Sequence, residues 1–134
     1  MSRATSAVAA LLCVAVASLA GCASEIRREP VELAAAAGEQ GRRVSSGGDV
    51  EVTLESRYVR RIVGGTEFIV VGRVAQGLVL KPTQTVLTVE GAHVHEAYAV
   101  HRDGQLVGFY LPVERAFTSL AKPAPMPLQE RTKP

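Results

Sequence analysis

The chain has 134 residues, with 15 Lys and Arg against 13 Asp and Glu, a formal net charge of +2 and two cysteines. That near balance excludes a nucleic-acid footprint: the short basic pairs Arg27-Arg28, Arg42-Arg43 and Arg60-Arg61 stand close to Glu25, Glu29, Glu39 and Glu55, which dilute their field. The length allows one modest domain and leaves little room for a second.

In chain order, residues 1–6 carry a single charged side chain, Arg3, and residues 7–20 are apolar except for Ser18. The apolar run is too short to cross a hydrocarbon core of about 30 Å as a helix, so it reads as the charged and apolar regions of a secretory signal. It ends on Leu19-Ala20-Gly21-Cys22, two small residues before a cysteine. This stretch resembles the lipobox of bacterial lipoproteins. The resemblance implies cleavage before Cys22, acyl chains such as palmitate on that cysteine, and a mature chain beginning there. Cys13 falls in the removed segment, which leaves Cys22 without a partner for an intrachain disulfide. Ala23 and Ser24 stand where inner-membrane lipoproteins often carry Asp, so the resemblance also implies an outer-membrane address facing the periplasm.

The remaining chain divides by composition. Residues 22–48 read as a lipidated tether and a short helical arm: Pro30 suits a first helical turn and four consecutive alanines favour helix, whereas Gly38 and Gly41 weaken its second half, leaving a short helix or a partly ordered arm. The "SSGG" of residues 45–48 marks a flexible boundary. Residues 49–121 read as a β domain, and residues 122–134, with Pro123, Pro125 and Pro127, as a proline-rich spacer or disordered end.

From Asp49 the apolar period changes to two, with Val50, Val52, Leu54, Tyr58 and Ile62 on one parity, a long run expected to bend or bulge. Gly64-Gly65 suits a tight hairpin turn that returns the chain as "TEFIVVGRV", and "GLVLKP" is a further strand stopped at Pro82. Two-residue turns at Gly91-Ala92 and Asp103-Gly104 would place Leu87, Val89, Val94, Tyr98, Val100, Val107, Phe109 and Leu111 on one continuous face. This predicts a three-stranded antiparallel meander over residues 85–111.

The same register gathers Glu90, His93 and His95 on the outer face, a carboxylate and two imidazoles of the kind that zinc, iron or copper accepts; without a fourth ligand, a solvated polar face is the competing reading. His101 lies too far along the strand to join them. Glu96 stands on the apolar side, either at the rim in water or paired with Arg115. Residues 112–120 read as one helical turn closing the sheet.

Together these features predict a mainly β protein, a small antiparallel meander or partly open barrel with a short N-terminal helix or arm. The strand rhythm over residues 58–120 is similar to bacterial SH3-like domains, and this resemblance implies peptide or cell-wall binding. No Ser/His/Asp order or phosphate loop stands out, so a non-catalytic lipoprotein that binds an envelope protein or the cell wall is the function expected. Metal binding or delivery through Glu90, His93 and His95 is the alternative.

Overall fold

A computed structural model describes residues 25–131. In chain order the strands are β1 (Glu29–Pro30), β2 (Arg43–Ser46), β3 (Val50–Thr53), β4 (Val59–Ile62), β5 (Glu67–Val74), β6 (Gly77–Pro82), β7 (Thr88–Glu90), β8 (Val94–Glu96), β9 (Tyr98–Arg102), β10 (Gln105–Leu111), β11 (Ala116–Pro125) and β12 (Leu128–Glu130). No helix occurs among the described residues. Eight strands form one antiparallel sheet in the order β1-β11-β10-β9-β6-β5-β2-β12, while β3–β4 and β7–β8 are separate two-stranded ladders. The fold is therefore mainly β and antiparallel, as expected, and its sheet is not closed into a barrel.

The two borders of that sheet are nevertheless joined by the chain itself. β11 lies beside the border strand β1 and runs on through Met126 and Pro127 into β12, the opposite border. Met126 is fully buried, and its amide donates to the Gly104 carbonyl at 2.9 Å, while Gly47 donates to the Pro127 carbonyl at 2.8 Å. β12 pairs β2, with Leu128 opposite Ser46 and Glu130 opposite Val44. Residues 122–131 are thus part of the sheet, which corrects the expectation of a spacer. Pro123 is accommodated because the β10–β11 ladder is irregular: Gly108 pairs Ser119 and the next registered pair is Leu106 with Ala124, so Pro123 falls in the gap, while Pro125 ends β11 opposite Gln105 and Pro127 lies between β11 and β12.

Tertiary pairing also overrides the alanine-rich stretch. Ala34 bridges Arg73 through backbone hydrogen bonds of 2.9 and 2.8 Å, and Ala36 is buried in the core. Gly38 and Gly41 adopt left-handed φ of 79° and 81°, which ends any helical path. The helix does not form: the segment is a docked arm whose residues 37–41 make a hydrogen-bonded turn, with the Glu39 and Gln40 amides both donating to the Ala36 carbonyl. "SSGG" is not a flexible boundary either, because Ser45 and Ser46 are buried in β2 between β5 and β12.

The period-two run from Asp49 folds back on itself instead of bending once. Val50 faces Ile62 and Thr53 faces Val59 across a reversal in which Leu54 donates to the Tyr58 carbonyl at 2.8 Å and Arg57 takes a left-handed φ of 72°. The expected parity holds for burial, with Val50, Val52, Leu54 and Ile62 inside. Gly65, at φ 83°, then turns the chain out of this hairpin and into β5, which pairs β2 and β6; the Gly64-Gly65 hairpin is not made.

Both faces of the central strands are apolar. The main core contains Ile26, Val44, Leu54, Phe68, Leu80, Leu87, Val89, Leu106, Phe109, Leu111 and Met126. A second cluster, on the other face, contains Val74, Val79, Val100, Tyr110 and Phe117, edged by Val31, Tyr98 and Val107. The single expected face is therefore divided: Leu87, Val89, Phe109 and Leu111 enter the main core, Tyr98, Val100 and Val107 the second, and Val94 is exposed. The expected three-stranded meander is divided with it, since β7 pairs only β8 and β9 pairs β10 and β6.

Candidate functional site

Cys22 lies outside the described residues; the first of these is Glu25, and Ile26 immediately after it is 2% exposed. Glu90, His93 and His95 are described, and the β7–β8 ladder does not gather them. Its connection is a three-residue loop, closed by the Gly91 amide donating to the His93 carbonyl at 3.0 Å. The registered pairs are Thr88 with Glu96, Val89 with His95 and Glu90 with Val94. Relative to a two-residue turn, β8 slips by one position, which exchanges its faces. Glu90 and His93 are exposed, whereas His95 points with Val89 toward the interior and is 7% exposed. Among the described residues no three His, Cys, Asp or Glu side chains come together in a metal-ligating group.

Inside, His95 meets a carboxylate that the sequence did not nominate. Its Nδ1 hydrogen-bonds Oε1 of Glu114, which lies in the turn between β10 and β11. Burial works to raise the Glu114 pKa, but the His95 hydrogen bond, its own backbone amide and the charges of His95 and Arg28 hold the carboxyl below its ordinary range. The second Glu114 oxygen is buried without a hydrogen-bond partner. Chemically this is a latch: it ties the β7–β8 hairpin to the β10–β11 turn, two elements that share no strand pairing. That turn, residues 112–115, stands where one helical turn was expected. Arg115 takes a left-handed φ of 53° and its carbonyl accepts from Val31, which holds the arm, and its side chain makes no ion pair with Glu96.

His101 has a similar structural duty. Its Nε2 donates to the Met126 carbonyl at 2.9 Å, fastening β9 to the joint that carries β11 into β12. Burial lowers its pKa, assisted by Arg42 and opposed by the Met126 hydrogen bond and Asp103.

The surface best suited to a ligand surrounds the loop of residues 83–87. On one side lies an open cleft lined by Lys81, Gln84, Val86, Glu96 and Tyr98. Lys81 Nζ sits 5.8 Å from the Tyr98 ring centroid, within cation–π range. Burial raises the Tyr98 pKa, with further contributions from the charge and hydrogen bond of Glu96, so the hydroxyl stays protonated well into the alkaline range. Glu96 is exposed at this mouth, the rim position that its sequence context allowed. On the other side of the loop a smaller cleft is lined by Arg60, Arg61, Val63, Thr66, Pro82 and Thr85. Val63 and Val86 are 60% and 68% exposed, among the most exposed large apolar side chains described. A tyrosine wall, both signs of charge and bare valines make this an amphoteric surface exposed to contact. Sequence reasoning missed this surface because Val63, the 81–86 segment and Glu96–Tyr98 are separated in the chain, and only the pairing of β6 with β9 puts Lys81 beside Tyr98. Comparison with protein-family models, curated proteins and solved structures finds no match for the chain.

Proposed function

We propose that this chain is a lipid-anchored protein of the bacterial cell envelope, facing the periplasm from the outer membrane, which presents its β domain to a protein or cell-wall partner without catalysing a reaction. The observation that carries the reading is Leu19-Ala20-Gly21-Cys22 at the end of a short apolar run, directly ahead of a β domain whose core already includes Ile26. The bare valines and the amphoteric cleft around residues 83–87 support binding as the activity, since such exposed apolar groups beside polar ones suit a contact surface.

The test is replacement of Cys22 by Ser in cells that process lipoproteins. The native chain should gain the mass of its acyl chains and fractionate with membranes, and the variant should do neither. Unchanged mass and unchanged membrane association in the variant would refute the anchor. In the lipidated protein, Val86→Asp should leave the fold intact and weaken co-sedimentation with purified cell wall, or crosslinking to a partner from the neighbouring Gln84.

A further inference from the structure

We infer that the corner of the domain built by Arg27, Arg28 and Glu55 is its membrane-facing side, kept against the lipid headgroups by a leash of only four residues. The inference rests on the anchor at Cys22 proposed above, and it shortens the lipidated tether that the sequence suggests at the start of residues 22–48.

Ile26 is 2% exposed in the main core, and Glu29 and Pro30 are registered against Phe117 and Ala116 of β11. Residues from Ile26 onward therefore belong to the folded body. From Cys22 to Ile26 the chain advances four residues, which fully extended cover at most about 14 Å. A folded domain of this size is roughly 30 Å across, so the leash is shorter than the body it holds. Such a domain cannot tumble freely above the surface or turn its opposite side toward it.

The side that faces the membrane follows from the neighbours of the leash. The Arg27 guanidinium reaches the Glu55 carboxylate at 3.6 Å, so the β3–β4 reversal stands beside the first ordered residues. Between them runs a shallow groove lined by Arg27, Arg28, Glu29, Glu55 and Ser119. Arg27 and Arg28 are opposed there by Glu25, Glu29 and Glu55, which leaves no positive excess to draw in anionic lipid. Apposition is thus set by covalent length, and it is insensitive to salt and to headgroup charge. A partner must then be met at the membrane or within about one domain diameter of it.

The experiment uses the lipidated protein in vesicles. With the Cys22 sulfur occupied by lipid, the thiol of Glu55→Cys is the free one and takes a fluorophore; loss of the exposed Arg27 pair costs little stability. A contact-range quencher is placed on the lipid headgroup, and mass and flotation report lipidation separately. The label should be strongly quenched, equally in neutral and anionic vesicles and at low and high salt. Inserting a flexible Gly/Ser segment of about 20 residues between Ala23 and Ser24, with a mean span near 25 Å, should relieve most of the quenching. Lipidated, floating protein whose label is unquenched, or equally quenched with and without the insert, overturns the apposed corner while leaving the anchor standing. Absence of lipid overturns both.

Discussion

Two consecutive hairpins, the short β7–β8 and the longer β9–β10, differ in what fixes their register. In β9–β10 the turn is Asp103-Gly104, whose φ angles of 50° and 75° are both left-handed, and Arg102 faces Gln105 directly across it. This is the geometry a two-residue hairpin requires, and Asp-Gly supplies it. In β7–β8 neither Gly91 nor Ala92 takes a positive φ; the chain uses three residues to turn, and every side chain of β8 changes face. A single added residue decides that Val94 is bare and His95 buried. The lesson is that an apolar alternation specifies a strand, but only turn chemistry specifies which of its faces is inside.

The largest expected effect tests β10, where the turn was read correctly and a bulge then shifts the ladder between Leu106 and Gly108. That shift puts Leu106 and Phe109 together in the main core, both fully buried. Phe109→Ala should cost about 3–5 kcal/mol and Leu106→Ala about 2–5 kcal/mol in chemical denaturation. A Leu106→Ala variant as stable as the parent would restore the unbulged register.

Next in size is the latch. His95→Ala leaves the half-buried Glu114 carboxylate without its ring partner and should cost about 1–3 kcal/mol, whereas His93→Ala should stay within about 0.5 kcal/mol. Equal losses for the two histidines would contradict the slipped register. Smaller still, Val94→Asp should change the unfolding free energy in chemical denaturation by no more than about 0.5 kcal/mol, because the side chain is 65% exposed. A severe loss would place Val94 in the core.

The smallest effect is in pH. His101 has a folded pKa below its ordinary 6.5, so folding favours the neutral ring. Its contribution is fully present above pH about 6.5 and is lost as pH falls through the lowered value. Thermal midpoints should therefore decline on acidification across that range, and less steeply in His101→Gln, which keeps a donor for the Met126 carbonyl. Identical pH slopes would remove His101 from the account.

Much of this architecture is legible in the residues. Strand β6 was readable from "GLVLKP" alone, since Gly77 and Pro82 bound an apolar run, and the buried parity of Val50, Val52, Leu54 and Ile62 follows from alternation. The C-terminal strands are not readable, because Pro123, Pro125 and Pro127 argue locally against a sheet, yet the broken β10–β11 ladder makes room for Pro123, Pro125 ends β11 opposite Gln105 and Pro127 lies between strands. The arm misled in the opposite sense: its alanines favour a helix locally, yet its backbone is paired with Arg73. The surface at residues 83–87 needed the tertiary pairing of β6 with β9 to exist at all. Only the lipobox reading stands on sequence alone.

The slipped register of β7–β8 is tested most directly by proton–proton contacts across the hairpin in solution. Gly91 bonds to His93 and Ala97 to Leu87, so Glu90–Val94 and Thr88–Glu96 are the closely spaced pairs between those bonds. Strong Hα–Hα contacts for those two pairs are the predicted result. A strong Hα–Hα contact between Val89 and Val94 would contradict it, returning Val94 to the interior and His95 to the outer face beside Glu90 and His93.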